Sequence, residues 1–177
     1  MADQIQRKFR LQFNAIVRPR KPIYELLLNA LTFKPRTTSP EDLVKAAFEG
    51  DDIAIQSLVS GGADVNAVGD YLNPLHAAIE NYQLDSIKLL VSLGADIELE
   101  CLGATPLQRA IDCETDSQTQ TTQPENWDTT LTKLLLDLGA NISGQNSSGE
   151  TALQMATRLK HKRAVELFMG LTFHRTK

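Results

Sequence analysis

The chain has few of the residues that build covalent or catalytic frameworks. It contains two cysteines, Cys101 and Cys113, and three histidines among its 177 residues. Two cysteines provide no disulfide framework, so we expect reduced thiols in a cytoplasmic protein. No Cys-x-x-Cys sequence and no close pair of histidines accompanies them, which argues against a metal site. We therefore expect neither a metal nor a cofactor.

Long apolar runs and glycine-rich phosphate loops are also missing. The longest apolar stretch, Leu26 to Leu31, falls far short of the roughly 18 residues that a membrane-spanning helix needs. No recognisable motif places a serine, cysteine or aspartate beside a histidine. These absences predict a protein that has no membrane span and is not an enzyme.

Repetition is what the chain has in quantity. The sequences Gly-Gly-Ala-Asp-Val-Asn, Leu-Gly-Ala-Asp-Ile-Glu and Leu-Gly-Ala-Asn-Ile-Ser begin at residues 61, 93 and 138, each after an apolar helical run. The interval from Leu43 to Gly62 in one copy equals the interval from Leu75 to Gly94 in the next. In the third copy the two markers, Leu107 and Gly139, lie farther apart, so this copy carries an insertion. Such a period predicts a stack of units, each of which needs its neighbours to bury an apolar face.

The upstream marker of each unit is equally regular. It reads Asn-Pro-Leu-His-Ala-Ala at 73–78, Thr-Pro-Leu-Gln-Arg-Ala at 105–110 and Thr-Ala-Leu-Gln-Met-Ala at 151–156. Together with the Gly-Ala-Asp turn, this pattern resembles the ankyrin repeat family over about residues 37–171. The resemblance implies an all-α solenoid of about four helix-turn-helix units, at 37–69, 70–102, 103–146 and 147–171. Asn73, Gln108 and Gln154 depart from the family motif.

The physical chemistry of each unit agrees with this pattern. A threonine hydroxyl caps a helix N-terminus well, and proline fits the first helical position because no amide donor is lost there. Glycine suits the residue after a helix, where a positive φ is needed, and a following Asp or Asn can bond the nearby backbone to form a turn. The residues concerned are Thr105, Thr151, Pro74, Pro106, Gly62, Gly94 and Gly139.

Two segments lie outside the repeat pattern. Residues 1–36 show helical spacing of apolar residues interrupted by prolines, and we interpret them as a basic helical extension that caps the first unit, with a transit peptide as the alternative. Residues 113–130 are polar and aperiodic, so we expect a loop inserted in the third unit. Its Trp127 either anchors a partner or folds back on its own helices. Residues 172–177 form a short tail.

Charge is divided along the chain. Residues 1–36 carry a net charge of +6, residues 37–156 a net of −15, and residues 157–177 a net of +5. The acidic body serves solubility or attracts a basic partner. Nucleic acid is not an expected partner, because phosphate binding needs Lys and Arg in the body.

The family resemblance implies that a partner protein docks on the surface formed by the turns and by the first helix of each unit. Carried over position by position, it predicts partner-binding residues on the first helices, at the turns and in the insertion. They are Lys45, Glu49, Glu80, Asn81, Arg109, Asp112, Met155 and Arg158; Asp70, Tyr71, Glu98, Glu100 and Asn146; and Trp127. Tyr71 and Arg109 are of the types enriched among binding hot spots.

A short stack of this kind also resembles the solitary ankyrin proteins of bacteria, some of which are immunity proteins that sequester a toxin. That resemblance implies a non-catalytic inhibitor of a cognate, basic toxin or effector, acting as a monomer within a heterocomplex. The alternatives are an adaptor or host-directed effector scaffold, and a regulatory subunit of an enzyme.

Overall fold

The repeats fold as paired helices. The computed structural model describes residues 39–118 and 128–174, and that part of the chain contains eight helices and no sheet. They are α1 (Pro40–Glu49), α2 (Asp52–Ser60), α3 (Pro74–Glu80), α4 (Leu84–Ser92), α5 (Pro106–Gln118), α6 (Thr130–Asp137), α7 (Ala152–Arg158) and α8 (Lys162–His174). The predicted all-α solenoid is confirmed. The N-terminal extension at 1–36 lies outside the described residues.

The helices form two layers. The first helix of each unit packs on the first helix of the next, so α1, α3, α5 and α7 make one layer, while α2 packs on α4 in the other. The core between the layers is small and aliphatic, as Leu43, Leu75, Ala78 and Ile111 illustrate by their burial. Small alanines let the helices approach closely, and no unit buries its apolar face alone.

Local capping explains where several helices begin. Asn73 caps α3 by accepting from the backbone N–H of His76 at 2.9 Å, and α3 then starts at Pro74. Thr151 caps α7, and Gln154 bonds back to the amide of Thr151 to complete a capping box. Asp51 caps α2 through the amide of Ala54. Asparagine therefore replaces threonine at 73 without loss of the cap.

The segments that join one unit to the next are hairpin-like, and we call them fingers: the first at 61–73, the second at 93–105 and the third at 138–151. The second residue of each is a glycine at positive φ, as at Gly94, where φ is +98°. The next acidic or amide residue then bonds the backbone two residues on; Asp96, for example, accepts from the amide of Glu98 at 2.9 Å. Both features match the sequence prediction.

The insertion differs from its prediction. The sequence indicated a loop from about residue 113, but α5 continues through Gln118, so Cys113 lies inside a helix. Likewise, α8 runs to His174, beyond the unit end expected near residue 171. The polar side chains of residues 113–118 concealed the helix because it has no apolar stripe to reveal it. Trp127 lies outside the described residues.

Candidate functional site

Hydrogen bonds join each finger to the next. The Asn66 side chain accepts from the amide of Asp96 at 2.8 Å, and in the same place one unit later Glu98 accepts from the amide of Asn141 at 2.7 Å. Glu100 accepts from both the amide and the hydroxyl of Ser147 at 2.6 Å. Two carboxylates predicted as partner-binding residues therefore also hold the fingers together, a role that the sequence reasoning missed.

Asn146 has a similar internal role. Its side-chain amide donates to the carbonyl of Gly103 at 2.9 Å, and its carbonyl oxygen accepts from the amide of Glu150 at 2.9 Å. These bonds shape the third finger and dock it on the second. Asn146 is thus placed at the finger surface, as predicted, but its polar atoms are engaged within the stack.

A buried relay of side chains connects the first helices to the following finger. His76 donates from Nε2 to the carbonyl of Ala104 at 3.0 Å, and Gln108, in the same place one unit later, donates to the carbonyl of Glu150 at 2.6 Å. Both side chains are fully buried. Burial lowers the pKa of His76 to about 4, so the ring is neutral near pH 7. Gln108 can stand where the second unit has His76 because its side-chain amide also donates to a backbone carbonyl of the following finger.

The tips of the first and second fingers are apolar and exposed. Tyr71 is 74% exposed and Leu102 is 63% exposed, and Val68 is 53% exposed on the first finger. The thiol of Cys101 donates to the carbonyl of Tyr71 at 3.2 Å, which brings the two tips side by side. We call Val68, Tyr71 and Leu102 the fingertip patch. Asp70, also exposed, lies within it.

The first helices carry paired charges beside the fingers. Arg109 lies between two acids: its Nε is 3.8 Å from Glu80, and its Nη1 donates to Asp112 at 3.3 Å. Lys45 and Glu49 form an exposed pair at 3.8 Å on α1. The predicted residues of α3 and α5 are therefore brought together as one mixed-charge cluster. Asn81 lies at the end of α3, where its amide donates to the carbonyl of Phe48 at 2.8 Å.

Arg158 lies at the end of α7, the first helix of the fourth unit. It forms two hydrogen bonds with the carboxylate of Glu150, at 2.8 and 3.1 Å. The Arg158 guanidinium holds the pKa of Glu150 below its usual value. Both side chains keep solvent access, so this fork remains within reach of a partner.

One predicted binding residue is misplaced. Met155 is only 9% exposed and faces the core, because α7 turns that side toward its neighbours. Ala77, at the corresponding position of α3, is fully buried as well. The prediction that Met155 lies on the exposed face of α7 was wrong, since an apolar side chain at this position is buried in the stack.

A buried polar cluster lies where the third unit meets the fourth, and the sequence reasoning did not find it. Glu114 on α5 is fully buried and accepts from the amide of Thr132 at 3.0 Å and from its hydroxyl at 2.6 Å. His161 Nε2 is 3.8 Å from the same carboxyl group. Burial raises the pKa of Glu114 to about 7, although the Thr132 bonds oppose that shift, and burial lowers the pKa of His161. Both shifts favour the uncharged forms.

The repeat register contains the signal that points to Glu114. Counting one period at a time, Gly50 corresponds to Tyr82 and then to Glu114, and beyond the insertion of the third unit the corresponding residue is Lys160. Gly50, Tyr82 and Lys160 all have positive φ and turn the chain between paired helices. Glu114 occupies this turn position in the third unit, next to the insertion. There the turn is replaced by a longer helix, α5.

Other kinds of site find no support in the described part of the chain. Residues 39–118 and 128–174 hold no group of three or more His, Cys, Asp or Glu side chains that could bind a metal ion. None of their helices is both long and apolar enough to span a bilayer. Cys101 and Cys113 are free cysteines, and burial raises the pKa of the Cys113 thiol to about 12. A thiol with that pKa is a poor nucleophile at neutral pH.

Comparison with known proteins agrees with the repeat architecture. Residues 43–119 match the family model described as ankyrin repeats in three copies. The chain is 34% identical over 104 residues to BRCA1-associated RING domain protein 1 of Caenorhabditis elegans, a match that covers 58% of this chain and 13% of that protein. It is 42% identical over 65 residues to the 2-5A-dependent ribonuclease of Mus musculus, covering 34% of this chain and 9% of that protein. The chain thus spans about a tenth of the length of these curated relatives.

Proposed function

Because this chain belongs to the ankyrin repeat family, whose stacks are protein–protein interaction modules, we propose that its fingers and first helices bind a basic protein partner without catalysis. The partner would lie along the surface that carries the fingertip patch, the mixed-charge cluster around Arg109, and the ion pair of Arg158 with Glu150. We propose a complex of one copy of this chain with one copy of the partner protein.

The charge of the fingers is the observation that carries this proposal. The three fingers contain six carboxylates and neither Lys nor Arg; the carboxylates belong to Asp64, Asp70, Asp96, Glu98, Glu100 and Glu150. Backbone amides donate to four of them, at Asp64, Asp96, Glu98 and Glu100, and these bonds hold the side chains in place but leave the negative charge. Glu150 is instead paired with Arg158. A surface of one sign accelerates encounter with a partner of the opposite sign and disfavours partners of the same sign.

Occlusion is the mode of action that we favour. A stack that covers the basic surface of a toxin or effector would block whatever that surface binds, as an immunity protein does. Such an inhibitor needs no catalytic group, which agrees with the buried, neutral state of His76 and the high thiol pKa of Cys113.

An adaptor is the second candidate, and one observation favours it. In both curated relatives the matched stretch is a small fraction of a longer protein, 13% in one and 9% in the other. Stretches of this kind therefore occur within longer proteins, and an adaptor of that design would bring its partner to the segments beside it. An adaptor would leave its partner active.

A charge-matched pair of variants tests the proposal. Asp64→Asn, Asp70→Asn and Asp96→Asn together remove three finger charges, and Asn141 shows that asparagine forms the same turn in the third finger. The control neutralises three exposed acids outside the fingers: Asp85→Asn, Asp137→Asn and Glu166→Gln. We expect proteins captured from lysate by the parent to be enriched in basic members, retained by the control and released by the finger variant at the same salt concentration. Equal capture by both variants would show that the finger charge has no part in binding.

The captured partner then separates the two candidates. Its own activity is measured with and without a stoichiometric amount of the chain. Loss of activity on complex formation supports an inhibitor, and a complex that keeps full activity supports an adaptor.

A further inference from the structure

Leu102 has an unusual backbone conformation for its residue type. It lies with Gly103 at the tip of the second finger, between the bridge partners Cys101 and Ala104, and its φ is +53°. A branched apolar residue with positive φ costs about 1 kcal/mol or more relative to the ordinary conformation, whereas Asn and Gly tolerate it. The corresponding residues of the first and third fingers, Asp70 and Ser148, are polar and do not have a positive φ.

The two-residue turn between Cys101 and Ala104 requires a positive φ at Leu102, but it does not require a leucine. Leu102 is 63% exposed, so it contributes little to the core. The two other non-glycine residues with positive φ in the described part of the chain, Tyr82 and Lys160, turn the chain between paired helices. Leu102 serves no such turn between helices, and a smaller polar residue would form its hairpin equally well. An exposed leucine held in a disfavoured conformation at a tip is a feature of a contact surface.

The tip of the first finger, next to Leu102, also exposes apolar side chains. Tyr71 is 74% exposed and Val68 is 53% exposed, and the bond from the Cys101 thiol to the carbonyl of Tyr71 fixes the two tips against each other. The fingertip patch is therefore formed by two units and is positioned by a buried donor. Tyrosine in such a setting offers a large contact area at low entropic cost.

The charges beside the patch decide which partner fits it. Asp70 lies between Val68 and Tyr71 in sequence, and Glu98 and Glu100 lie just before Cys101. Neither of these two fingers contains a Lys or Arg side chain. An apolar partner segment with its own carboxylates would be repelled here, whereas one with Lys or Arg beside its apolar side chains would gain both contacts.

We propose that the fingertip patch binds a protein segment in which apolar side chains are flanked by Lys or Arg, with Leu102 as its central apolar contact. This inference rests on the proposed function and names the chemistry of the partner at the tips. Charge provides the attraction, and the patch provides the preference among basic segments.

Defined peptides test the inference with the full chain. Two fluorescent peptides of equal length carry the same lysines, with leucine or serine at the other positions, and a third alternates glutamate with leucine. Fluorescence anisotropy should give about tenfold tighter binding of the lysine–leucine peptide than of the lysine–serine peptide, as expected for one well-buried apolar side chain. The glutamate–leucine peptide should bind most weakly.

Substitution of Leu102 separates binding from folding. Leu102→Asn suits the positive φ, so its thermal midpoint should equal or exceed that of the parent. Its preference for the lysine–leucine peptide should fall to below about threefold, and Tyr71→Ser should reduce it as well. Ile53→Gln is the matched control, because Ile53 is 83% exposed on α2, in the other layer.

The outcomes distinguish the two proposals. If both lysine peptides bind more tightly than the glutamate peptide but Leu102→Asn keeps the full leucine preference, the apolar inference is overturned and the basic partner stands. If neither lysine peptide binds more tightly than the glutamate peptide, the proposed function fails, and the inference fails with it.

Discussion

The second and third units begin alike and end their first helices differently. In the second unit α3 stops at Glu80, and Tyr82, with a φ of +54°, turns the chain into α4. In the third unit α5 continues to Gln118, and its residue at the corresponding position, Glu114, stays helical and buried. Its carboxyl group bonds Thr132 near the start of α6 instead. An insertion at this turn is therefore accommodated by a side chain that takes over the positioning of the second helix.

Removing the Glu114 side chain should have the largest effect. Glu114→Ala leaves the amide and hydroxyl of fully buried Thr132 without this acceptor, and we expect a loss of about 2–4 kcal/mol in the free energy of unfolding. Urea denaturation measures it. Glu166→Ala, at an exposed glutamate of α8, is the control and should change stability by less than about 0.5 kcal/mol. Equal losses in the two variants would show that Glu114 does not hold α6.

The same residue should give the third unit a distinct pH dependence. Burial raises the pKa of Glu114 from 4.5 to about 7, so its contribution to stability is complete below about pH 4.5 and is lost as the pH rises through about 7. The lowered pKa values of His76 and His161 act in the opposite direction, because their contributions are lost as the pH falls below about 6.5.

A difference measurement isolates Glu114 from the histidines. Between pH 4.5 and 7 the parent should lose on the order of 2–3 kcal/mol relative to Glu114→Gln, which has no proton to release. Asp128 and His161 face this group and are unchanged in both proteins. Parallel curves of stability against pH would contradict the assignment.

Valine substitutions in the glycine turns after the second and third units should lower stability equally, despite the insertion. Gly94 and Gly139 have φ values of +98° and +103°, and a side chain at either position would meet no atom within 4 Å. Valine at either site should therefore cost about 1–3 kcal/mol through backbone strain alone. Gly170→Ala, in α8 and without a positive φ, is the control and should raise stability by about 0.5–1 kcal/mol. Thermal melts that differ between the two valine variants would show that the insertion perturbs the third turn.

The smallest effect is expected where the units are most alike. Gln108→His gives the third unit the histidine that the second unit has at this position. Both side chains donate to a backbone carbonyl of the following finger, so we expect the free energy of unfolding to change by less than about 1 kcal/mol. Gln108→Ala removes the donor and should cost about 1–3 kcal/mol. A thermal midpoint as low for the histidine variant as for the alanine variant would show that the two joints differ in geometry.

Much of the architecture followed from local patterns. The caps at Asn73 and Thr151 and the positive φ of Gly94 were predictable, because each depends on a residue type at a fixed place in a helix or turn. Glu114 was not, since a polar run without apolar periodicity gave no reason to extend α5. The burial of Met155 depends on how successive first helices pack, which one unit's sequence does not specify. The fingertip exposure of Tyr71 and Leu102 was predictable, but the hydrogen bonds that occupy Glu98 and Glu100 depend on partners far along the chain, Asn141 and Ser147.

The relay from His76 to Ala104 and from Gln108 to Glu150 always points from one unit to the next. Cutting the chain before the fourth unit would leave the buried Gln108 amide without its acceptor. Cutting it after the first unit would release Asn81 and Gln83 from the Phe48 carbonyl and the buried Ser86 hydroxyl from Asp52. Neighbouring units are therefore interlocked along the whole stack, and shortening it at either end should cost stability because a buried donor loses its acceptor.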